Sequence, residues 1–412
     1  MNSKDIKTYL ARDHAAEIEA AAARLADVLK PTPLIPSDFY GQEVGCAVYL
    51  KPENLQTTGS FKIRGAYNKI ATLDKQALKK GVVSASAGNH AQGVAFSAQR
   101  RGVKATIVMP NITPLLKVDA TKAYGADVVL HGDVYDESFT EAVRLAQKTG
   151  AAFVHPFDDY KVLCGQGTIA KEILAELPDA DEILVPIGGG GLVAGILLYA
   201  KHASPRTKII GVIPEGSPAV KHSLEKGRPV QEKEISTCAE GVAVKRAGDL
   251  TFAVIQKYLD EIVTVSEKDI MENILLMMEK HKLVTEAAGV VALAGAKRRA
   301  RAGRKLVCVV SGGNIDTVTV SSIVNQGTIS RGRILCFSVE LPDKPGQLVA
   351  VAQLLAREGA NVIELDHDQF KAIDRYSNRV LLEVTVETNG PAHIERVLAA
   401  LKAEGFPVTR IY

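Results

Sequence analysis

One lysine is the residue whose surroundings most clearly suggest chemistry. Lys62 stands between Phe61 and Ile63, and an apolar setting disfavours the ammonium form and lowers the pKa of the amine. A neutral amine is what a Schiff base with an aldehyde requires. Taken alone, a single lysine is more typical of a surface position whose aliphatic stem packs on the protein. Other motifs must therefore decide whether Lys62 is a reactive lysine or a surface lysine.

A run of glycines forms the second candidate site. Gly188 to Gly191 follow the apolar segment Ile183–Ile187 and precede a predicted helix that begins at Leu192. Bare backbone N–H groups and the positive end of that helix would converge there, which is typical of a phosphate site. One helix terminus contributes only about 0.3–2 kcal/mol, so several donors must act together. Tight strand–helix packing is the alternative, but four consecutive glycines exceed what packing needs.

Two further polar clusters lie where predicted strands end. Residues 86–90 connect a strand to a helix, and Ser311 follows the strand Lys305–Val310 just before two glycines. Helix-end N–H groups at 86–90 could bind an anion, although Ser86 and Asn89 could equally be helix caps. For Ser311, capping a turn is the simpler interpretation. His90 is predicted to be structural rather than an acid or base.

The elements that must position these residues alternate between strand and helix. Apolar strands are predicted at 82–86, 105–109, 128–130, 152–154, 183–187, 208–213 and 305–310, with helices at 91–101 and 137–148. Another helix is predicted with Thr113 as N-cap and Pro114 as its first residue, and Ser266 with Asp269 resembles a capping box. This order predicts parallel sheets covered on both faces, in two α/β lobes rather than one large sheet.

The last 80 residues have a different pattern. Residues 321–331 are polar and contain glycine, which predicts a linker. Beyond them, Leu335, Phe337, Val339 and Leu341 alternate as in a half-buried strand, and Leu348, Val351, Ala352 and Leu355 share one helix face. Strands at 362–365, 380–386 and 408–411 and a helix containing residues 394–401 complete a βαββαβ order, a ferredoxin-like α+β unit.

Composition excludes several classes of protein. The 412 residues are 46% hydrophobic and 24% charged, which excludes a mostly disordered chain, and the net charge of +3 is too small to suggest nucleic-acid or membrane binding. Five scattered cysteines indicate reduced thiols in the cytoplasm. Residues 183–200 are uncharged, but Pro186 and the glycines argue against a membrane span. No secretory signal is visible in the first 20 residues.

Together these motifs resemble a known family. Residues 31–34 (PTPL), 60–66 (SFKIRGA), 86–90 (SAGNH), the four glycines and 311–314 (SGGN) are similar to those of the fold-type-II pyridoxal-phosphate enzymes, specifically the threonine dehydratases (threonine ammonia-lyases). Residues 343–348 (DKPGQL) make the tail resemble an ACT domain. The resemblance implies an α/β, two-lobed enzyme like the tryptophan synthase β chain over 1–320, with a smaller lobe of roughly 53–155, and an ACT-like regulatory domain over 332–412.

The resemblance also implies roles for individual residues. Lys62 would carry pyridoxal 5'-phosphate and, once freed by substrate, remove the α-proton. Asn89 would reach the phenolic oxygen of the cofactor, and Ser311 its pyridine nitrogen, where a neutral hydroxyl favours β-elimination. The cofactor-binding residues implied are Phe61, Lys62, Asn89, Gly188, Gly189, Gly190, Gly191, Leu192 and Ser311. The substrate carboxylate would be held by Ser86, Ala87, Gly88, Asn89 and His90.

Two departures from the related serine racemases narrow the prediction. Those enzymes carry a serine where Ala87 stands, which acts as a second acid and base, so alanine favours elimination over racemisation. They also bind a divalent metal through a glutamate and an aspartate. Glu215 matches the first, but Lys221 replaces the second and could pair with Glu215 instead. We therefore expect no divalent metal, with a monovalent ion left open.

The predicted reaction converts L-threonine to 2-oxobutanoate and ammonia, with L-serine to pyruvate as a secondary activity, in a cytoplasmic homodimer or homotetramer. Two alternatives stay open: an amino-acid sensor with a decayed catalytic half, and a β-replacement synthase of the same fold. An effector, such as isoleucine or valine, is predicted to bind where two tails pair. The residues predicted for that site are Asp343, Gly346, Gln347, Leu348 and Asn361.

Overall fold

Short apolar strands pair to form two sheets in the first of two units, Met1–Ile315, and a third sheet in the second unit, Asp316–Tyr412. The computed structural model describes residues 3–299, 302–368 and 379–412. The strands of the first unit are β1 (Ile35–Pro36), β2 (Ala47–Pro52), β3 (Val82–Ala85), β4 (Ala105–Met109), β5 (Asp127–Leu130), β6 (Ala152–Phe153), β7 (Glu182–Pro186), β8 (Lys208–Pro214), β9 (Glu261–Val265) and β10 (Lys305–Val310).

The two sheets of the first unit correspond to two lobes. The larger has the order β1-β2-β10-β7-β8-β9 and the smaller the order β5-β4-β3-β6. Only the β1–β2 pair is antiparallel; the other described pairs in these sheets are parallel. The predicted α/β fold class with two lobes is therefore confirmed. Parallel pairing also brings the carboxyl ends of the strands to one edge of each sheet.

Helices cover these sheets. They are α1 (Ser3–Leu10), α2 (His14–Leu25), α3 (Asp38–Val44), α4 (Lys62–Ala71), α5 (Lys75–Lys80), α6 (Asn89–Arg101), α7 (Leu115–Lys122), α8 (Tyr135–Thr149), α9 (Tyr160–Glu176), α10 (Gly191–Ala203), α11 (Ala219–Lys226), α12 (Asp249–Tyr258), α13 (Glu267–Leu276) and α14 (Ala287–Ala296). Single 3-10 turns occupy Glu53–Leu55, Glu240–Val242 and Lys297–Arg299, and a π-helical turn occupies Met277–His281.

The main core lies where α9 and α10 pack on the larger sheet, and α4 packs closely on α9. A Cβ added at Gly165 of α9 would lie only 2.5 Å from the Arg64 carbonyl oxygen of α4. The two backbones therefore touch, and no other residue type could stand at that position without moving α4. This contact matters because α4 begins at Lys62.

Of the two helix N-caps predicted in the first unit, the structure confirms one. Ser266 caps α13 as predicted, since its Oγ accepts the Asp269 N–H at 3.2 Å. The prediction for Thr113 was wrong: Pro114 is the N-cap of α7, because its ψ of 137° is extended, and the helix begins at Leu115. The segment 183–200 is strand, loop and helix. Within the described chain, no helix has the length and apolarity needed to cross a bilayer.

The second unit contains a four-stranded antiparallel sheet. Its elements are α15 (Thr317–Ser330), β11 (Ile334–Pro342), α16 (Gln347–Glu358), β12 (Asn361–Asp368), β13 (Arg379–Glu387), α17 (Pro391–Ala403) and β14 (Val408–Arg410). The strand order β12-β13-β11-β14 is that of the predicted ferredoxin-like unit. The fold class predicted for this region, a small α+β domain, is confirmed.

Two details of the tail differ from the prediction. Residues 321–330 belong to helix α15 and do not form an irregular linker. Asp316 caps the start of this helix by accepting the Thr319 N–H at 2.8 Å, and the helix ends at Ser330. In α16 the buried residues are Val351, Leu354 and Leu355. Ala352 is exposed, so the buried face lies slightly around the helix from the one predicted.

The hydrophobic core of the second unit can be tested by a substitution on the buried face of β11. Phe337 is fully buried in the core of this unit, and Phe337→Ala should lower its unfolding free energy by about 3–5 kcal/mol. Hydrogen exchange of the β11 and β13 amides, followed by mass spectrometry, measures this change. Ile363→Ala on the edge strand is the control, because Ile363 is 54% exposed and should cost less than about 1 kcal/mol. Equal effects of the two variants would contradict the assignment of this core.

Candidate active site

Four charged side chains fix the start of α4, three of them buried and the fourth, Glu172, partly buried. Arg64 binds Glu53 through two hydrogen bonds of 2.7 and 2.8 Å, and Glu172 of α9 through two of 2.6 and 2.8 Å. Lys51 at the end of β2 adds a contact of 2.6 Å to Glu172. Burial alone would raise the pKa of Glu53, but the charge of Arg64 and its hydrogen bonds hold that pKa below the ordinary value. The set is electrically balanced and ties β2, the 53–55 turn, α4 and α9 together.

Lys62 is the first residue of α4, two residues before Arg64. Its Nζ donates to the Pro156 carbonyl oxygen at 2.9 Å and lies 5.2 Å from the centre of the Phe61 ring. Burial lowers the pKa of Lys62 to about 8, opposed by the negative charge of Glu286. A substantial fraction of this amine is therefore neutral near pH 8, the form that attacks a carbonyl.

The glycine loop joins β7 to α10 as predicted, but the reason given for its four glycines was wrong. An added Cβ would lie 2.5 Å from the Phe157 ring at Gly189, 2.8 Å from Phe157 Cβ at Gly191, and 2.8 Å from Val242 Cα at Gly188. Gly190 has a φ of +92°. Packing and conformation alone therefore require glycine at all four positions.

The loop still presents backbone donors. The first N–H groups of α10 have no partner within the helix, and Leu192 is buried in that first turn. The Gly189 carbonyl accepts the Thr251 hydroxyl at 2.7 Å and the Gly248 N–H at 3.3 Å. Because a peptide group is planar, the Gly190 N–H must point the opposite way, away from these partners. The loop is thus a rigid candidate for anion binding.

A segment that the sequence analysis overlooked connects the lysine to this loop. Pro156 accepts the Lys62 amine, and Phe157 fills the space against Gly189 and Gly191. The next residue, Asp158, accepts three backbone N–H groups at the start of α12, at 3.0–3.1 Å. No local pattern marks these roles, since the capped helix begins 91 residues later in the chain.

Residues 86–88 connect β3 to α6, and Asn89 and His90 are the first residues of that helix. Ser86 and Asn89 do not cap α6, whose N-cap is Gly88, with no side-chain cap bond. Asn89 instead donates from Nδ2 to Glu286 at 2.6 Å, and its Oδ1 accepts from Asn314 at 2.8 Å. The loop backbone, including Ala87, leads directly into the positive end of α6.

His90 has the environment of a structural residue. Its Nε2 lies 3.1 Å from the Val154 carbonyl oxygen, and burial lowers the pKa of the ring to about 3, so that it is neutral. Its Nδ1 is buried, and no partner for that atom is found among the described residues. Ser60 Oγ, two residues before Lys62, is also buried, and no hydrogen-bond partner for it is found in the described part of the chain.

Ser311 lies at the carboxyl end of β10, next to the lysine segment. Its hydroxyl donates to the Ala288 carbonyl oxygen at 3.1 Å, and its own carbonyl accepts the Phe61 N–H at 3.1 Å. The structure therefore brings Ser311 beside Phe61, as the site prediction requires. With its proton engaged by Ala288, the hydroxyl oxygen retains lone pairs that can accept a hydrogen bond.

Glu286 is the clearest residue that the sequence analysis missed. It stands just before α14, accepts from Asn89 and lies within the electrostatic reach of Lys62. Burial raises the pKa of this carboxyl to about 7, although the Asn89 hydrogen bond and the charges of Lys117 and Lys62 oppose the shift. The signal in the sequence was an isolated acid before a ten-residue helix without charges.

The pairing suggested for Glu215 and Lys221 was wrong. Glu215 is exposed after β8 and Lys221 lies on α11, and among the described residues no ion pair joins them. Across the same described residues, no group of three or more histidine, cysteine, aspartate or glutamate side chains is placed to hold a metal ion.

The predicted effector residues do not form one cluster within a chain. Asp343, Gly346, Gln347 and Leu348 lie in the turn before α16 and in its first turn, where Gly346 has a φ of +91°. Asn361 begins β12, after the opposite end of α16. Twelve helical residues span about 18 Å, so these residues do not lie together within one tail.

Comparisons with known proteins agree with one another. Residues 25–312 match the family model described as pyridoxal-phosphate dependent enzyme. The L-threonine ammonia-lyases of Geobacter sulfurreducens and Thermotoga maritima are 46% and 44% identical, over 95% of this chain and 98% of each relative. A solved structure of the processed form of threonine deaminase isoform 2 from Solanum lycopersicum has a TM-score of 0.74 and 38% identity, covering 80% of this chain and 90% of that one.

The charged set around Arg64 leads to a prediction about stability. Glu53→Gln leaves Arg64 without one of its two carboxylates and should cost about 3–5 kcal/mol in urea unfolding at neutral pH. Because the pKa of Glu53 lies below 4.5 in the fold, its contribution is complete above about pH 4.5. That contribution is lost as the pH falls through the folded value. The difference between wild type and variant should therefore shrink in acid.

The control for this prediction is Asp127→Asn. Asp127 pairs with Lys104 at 3.0 Å, but both side chains are largely exposed, so the variant should cost less than about 1 kcal/mol. A loss for Glu53→Gln as small as that of the control, or one independent of pH, would contradict the argument.

Proposed function

Because the chain belongs to the family of pyridoxal-phosphate-dependent enzymes, we infer that it deaminates L-threonine to 2-oxobutanoate and ammonia with pyridoxal 5'-phosphate as cofactor. Full-length identity of 44–46% to two L-threonine ammonia-lyases supports this activity. The observation that carries it in the structure is one lysine, Lys62, whose amine has a pKa of about 8 and which is joined through Pro156 and Phe157 to a glycine loop.

The residues present suit an aldehyde cofactor that carries a phosphate. Lys62 supplies an amine that can be neutral, and the loop before α10 offers backbone N–H donors at the positive end of a helix. Ser60 Oγ and His90 Nδ1 are buried polar atoms that have no partner among the described residues, so polar groups near Lys62 remain to be satisfied. These features support the proposed assignment of the site.

We assign the roles as follows. Lys62 holds the cofactor, and its freed amine then removes the proton from the α-carbon of the substrate. The phosphate is bound by the backbone of Gly188, Gly189, Gly190, Gly191 and Leu192, while Phe61, Asn89 and Ser311 contact the ring. When bound, the cofactor withdraws electrons from the α-carbon. That withdrawal makes the α-proton acidic enough for an amine to take.

The substrate is held by the loop between β3 and α6. Backbone N–H groups of residues 86–90, at the positive end of α6, bind the carboxylate of threonine. Ala87 has no proton to exchange, so no group at that position returns a proton to the α-carbon, and elimination of the β-hydroxyl is favoured over racemisation. L-Serine carries the same leaving group without the methyl, and we propose it as a second substrate that yields pyruvate.

We further propose that the tail binds a branched-chain amino acid. The turn before α16 offers backbone donors for a carboxylate, and its separation from Asn361 implies that two tails must pair. The enzyme would accordingly act as a homo-oligomer. We place it in the cytoplasm because its five cysteines are scattered singly along the sequence, which is typical of reduced thiols.

Replacing the reactive lysine tests the activity. The wild type, reconstituted with pyridoxal phosphate, should turn yellow and release 2-oxobutanoate from L-threonine and pyruvate from L-serine. Lys62→Ala should lower kcat by at least about a thousandfold, because it removes both the attachment and the base. Lys75→Ala, an exposed lysine on α5, is the matched control. Wild-type turnover by Lys62→Ala would contradict the assignment. A sulfur-containing amino acid formed from threonine and added sulfide, in place of 2-oxobutanoate, would favour a β-replacement synthase.

Titration of the full-length enzyme tests the tail. L-Isoleucine or L-valine should change the turnover of threonine, and Asn361→Ala should weaken that response by about tenfold, the loss expected for one hydrogen bond to a charged ligand. Gln353→Ala, exposed on the outer side of α16, should respond as the wild type does. A wild-type turnover that is insensitive to every branched-chain amino acid would contradict the proposal.

A further inference from the structure

The side chain of Glu286 does not cap the helix that follows it. Glu286 is the N-cap residue of α14, yet its side chain makes no cap bond to that helix. Its backbone is fully used, because the N–H donates to the Gly312 carbonyl at 3.2 Å and the carbonyl accepts the Gly289 N–H at 2.9 Å. The carboxylate instead turns towards Asn89.

Space for this carboxylate is built into the neighbouring loop. A Cβ at Gly312 would lie 2.2 Å from Glu286 Oε1, and one at Gly241 would lie 3.7 Å from the same atom. Glycine at 312 is therefore required by the carboxylate, not only by the turn. The contact places Glu286 between Asn89 and the loop that carries Ser311.

The hydrogen bonds around Asn89 permit one orientation of its amide. Asn314 Nδ2 donates to the Thr58 carbonyl at 2.8 Å, so it is a nitrogen that faces Asn89. Asn89 must present Oδ1 to that nitrogen, and its Nδ2 then meets Glu286 at 2.6 Å. A flipped amide would place two nitrogens together and an oxygen against a carboxylate. The second N–H of the Asn89 amide has no partner among the described residues.

The electrical surroundings fit an acceptor at this point. The charged groups that act on Glu286 are Lys62 on α4, Lys117 on α7 and Glu240 in the 240–242 turn. Two of the three are cations and favour the ionised carboxylate, whereas burial, the larger effect, raises its pKa to about 7. Either form of the group keeps an oxygen that accepts the amide proton of Asn89. Lys117 and Glu240 are themselves paired at 2.7 Å.

We propose that Glu286 is a positioning residue that acts through Asn89. Its carboxylate holds the amide so that the remaining N–H, rather than the carbonyl oxygen, is available to the phenolic oxygen of the cofactor. The inference rests on the proposed function, because it assigns a role within the same site. It predicts that the acceptor at Glu286 matters and that the charge matters less.

The experiment compares Glu286→Ala with Glu286→Gln, which keeps an oxygen that can accept from Asn89. Two quantities are measured: the Kd of pyridoxal phosphate for the apoenzyme, and kcat/KM for L-threonine. Glu286→Ala should raise Kd and lower kcat/KM by about 10- to 100-fold, the loss expected when a donor is left without its acceptor. Glu286→Gln should stay within about fivefold of wild type. Glu234→Gln, an exposed acid, is the control.

A double-mutant cycle shows whether Glu286 acts through Asn89. The variant carrying both Asn89→Ala and Glu286→Ala should be no worse than Asn89→Ala alone. Additive losses, or a Glu286→Ala enzyme with wild-type Kd and kcat/KM, would overturn the inference. If Glu286→Ala does not fold, Glu286→Asp replaces it, because it keeps the charge but withdraws the carboxylate from Asn89. A wild-type protein that neither binds pyridoxal phosphate nor forms 2-oxobutanoate would instead overturn the proposed function.

Discussion

The balanced set of buried charges around Arg64 is the constraint on which the site depends. Removing an ion from water costs several kcal/mol even after relaxation, so each of these side chains is stable only where its partners stand. Lys51, Glu53 and Glu172 come from three different elements, and all three must be in place at once. The first turn of α4, which presents Lys62, is thereby fixed relative to the larger sheet.

The remaining groups reach the lysine because parallel strands end at a common edge. Residues 86–90 follow β3, the glycine loop follows β7, and Ser311 follows β10. The segment from Pro156 to Asp158 then links them, since it contacts Lys62, the glycine loop and α12 in three successive residues. The site is thus assembled from segments that follow the carboxyl ends of strands in the two sheets.

Periodicity and end signals in the sequence predicted seven of the ten strands of the first unit and the topology of the tail, but they did not predict β1, β2 or β9. They were insufficient wherever a partner lies far along the chain. Glu286 is 197 residues from Asn89, and the need for glycine at 189 arises from Phe157, 32 residues earlier. The error at Thr113 was of another kind, because Pro114 suits both the N-cap and the first helical position and local pattern cannot separate them.

The glycine loop has a consequence for how a ligand is retained. Residues 188–192 contain no side chain that can gain or lose a proton, and peptide N–H groups do not titrate near neutrality. A phosphate bound there would sense acid only through its own second ionisation, near pH 6. The pH dependence of this contact would then come from the phosphate and not from the loop that binds it.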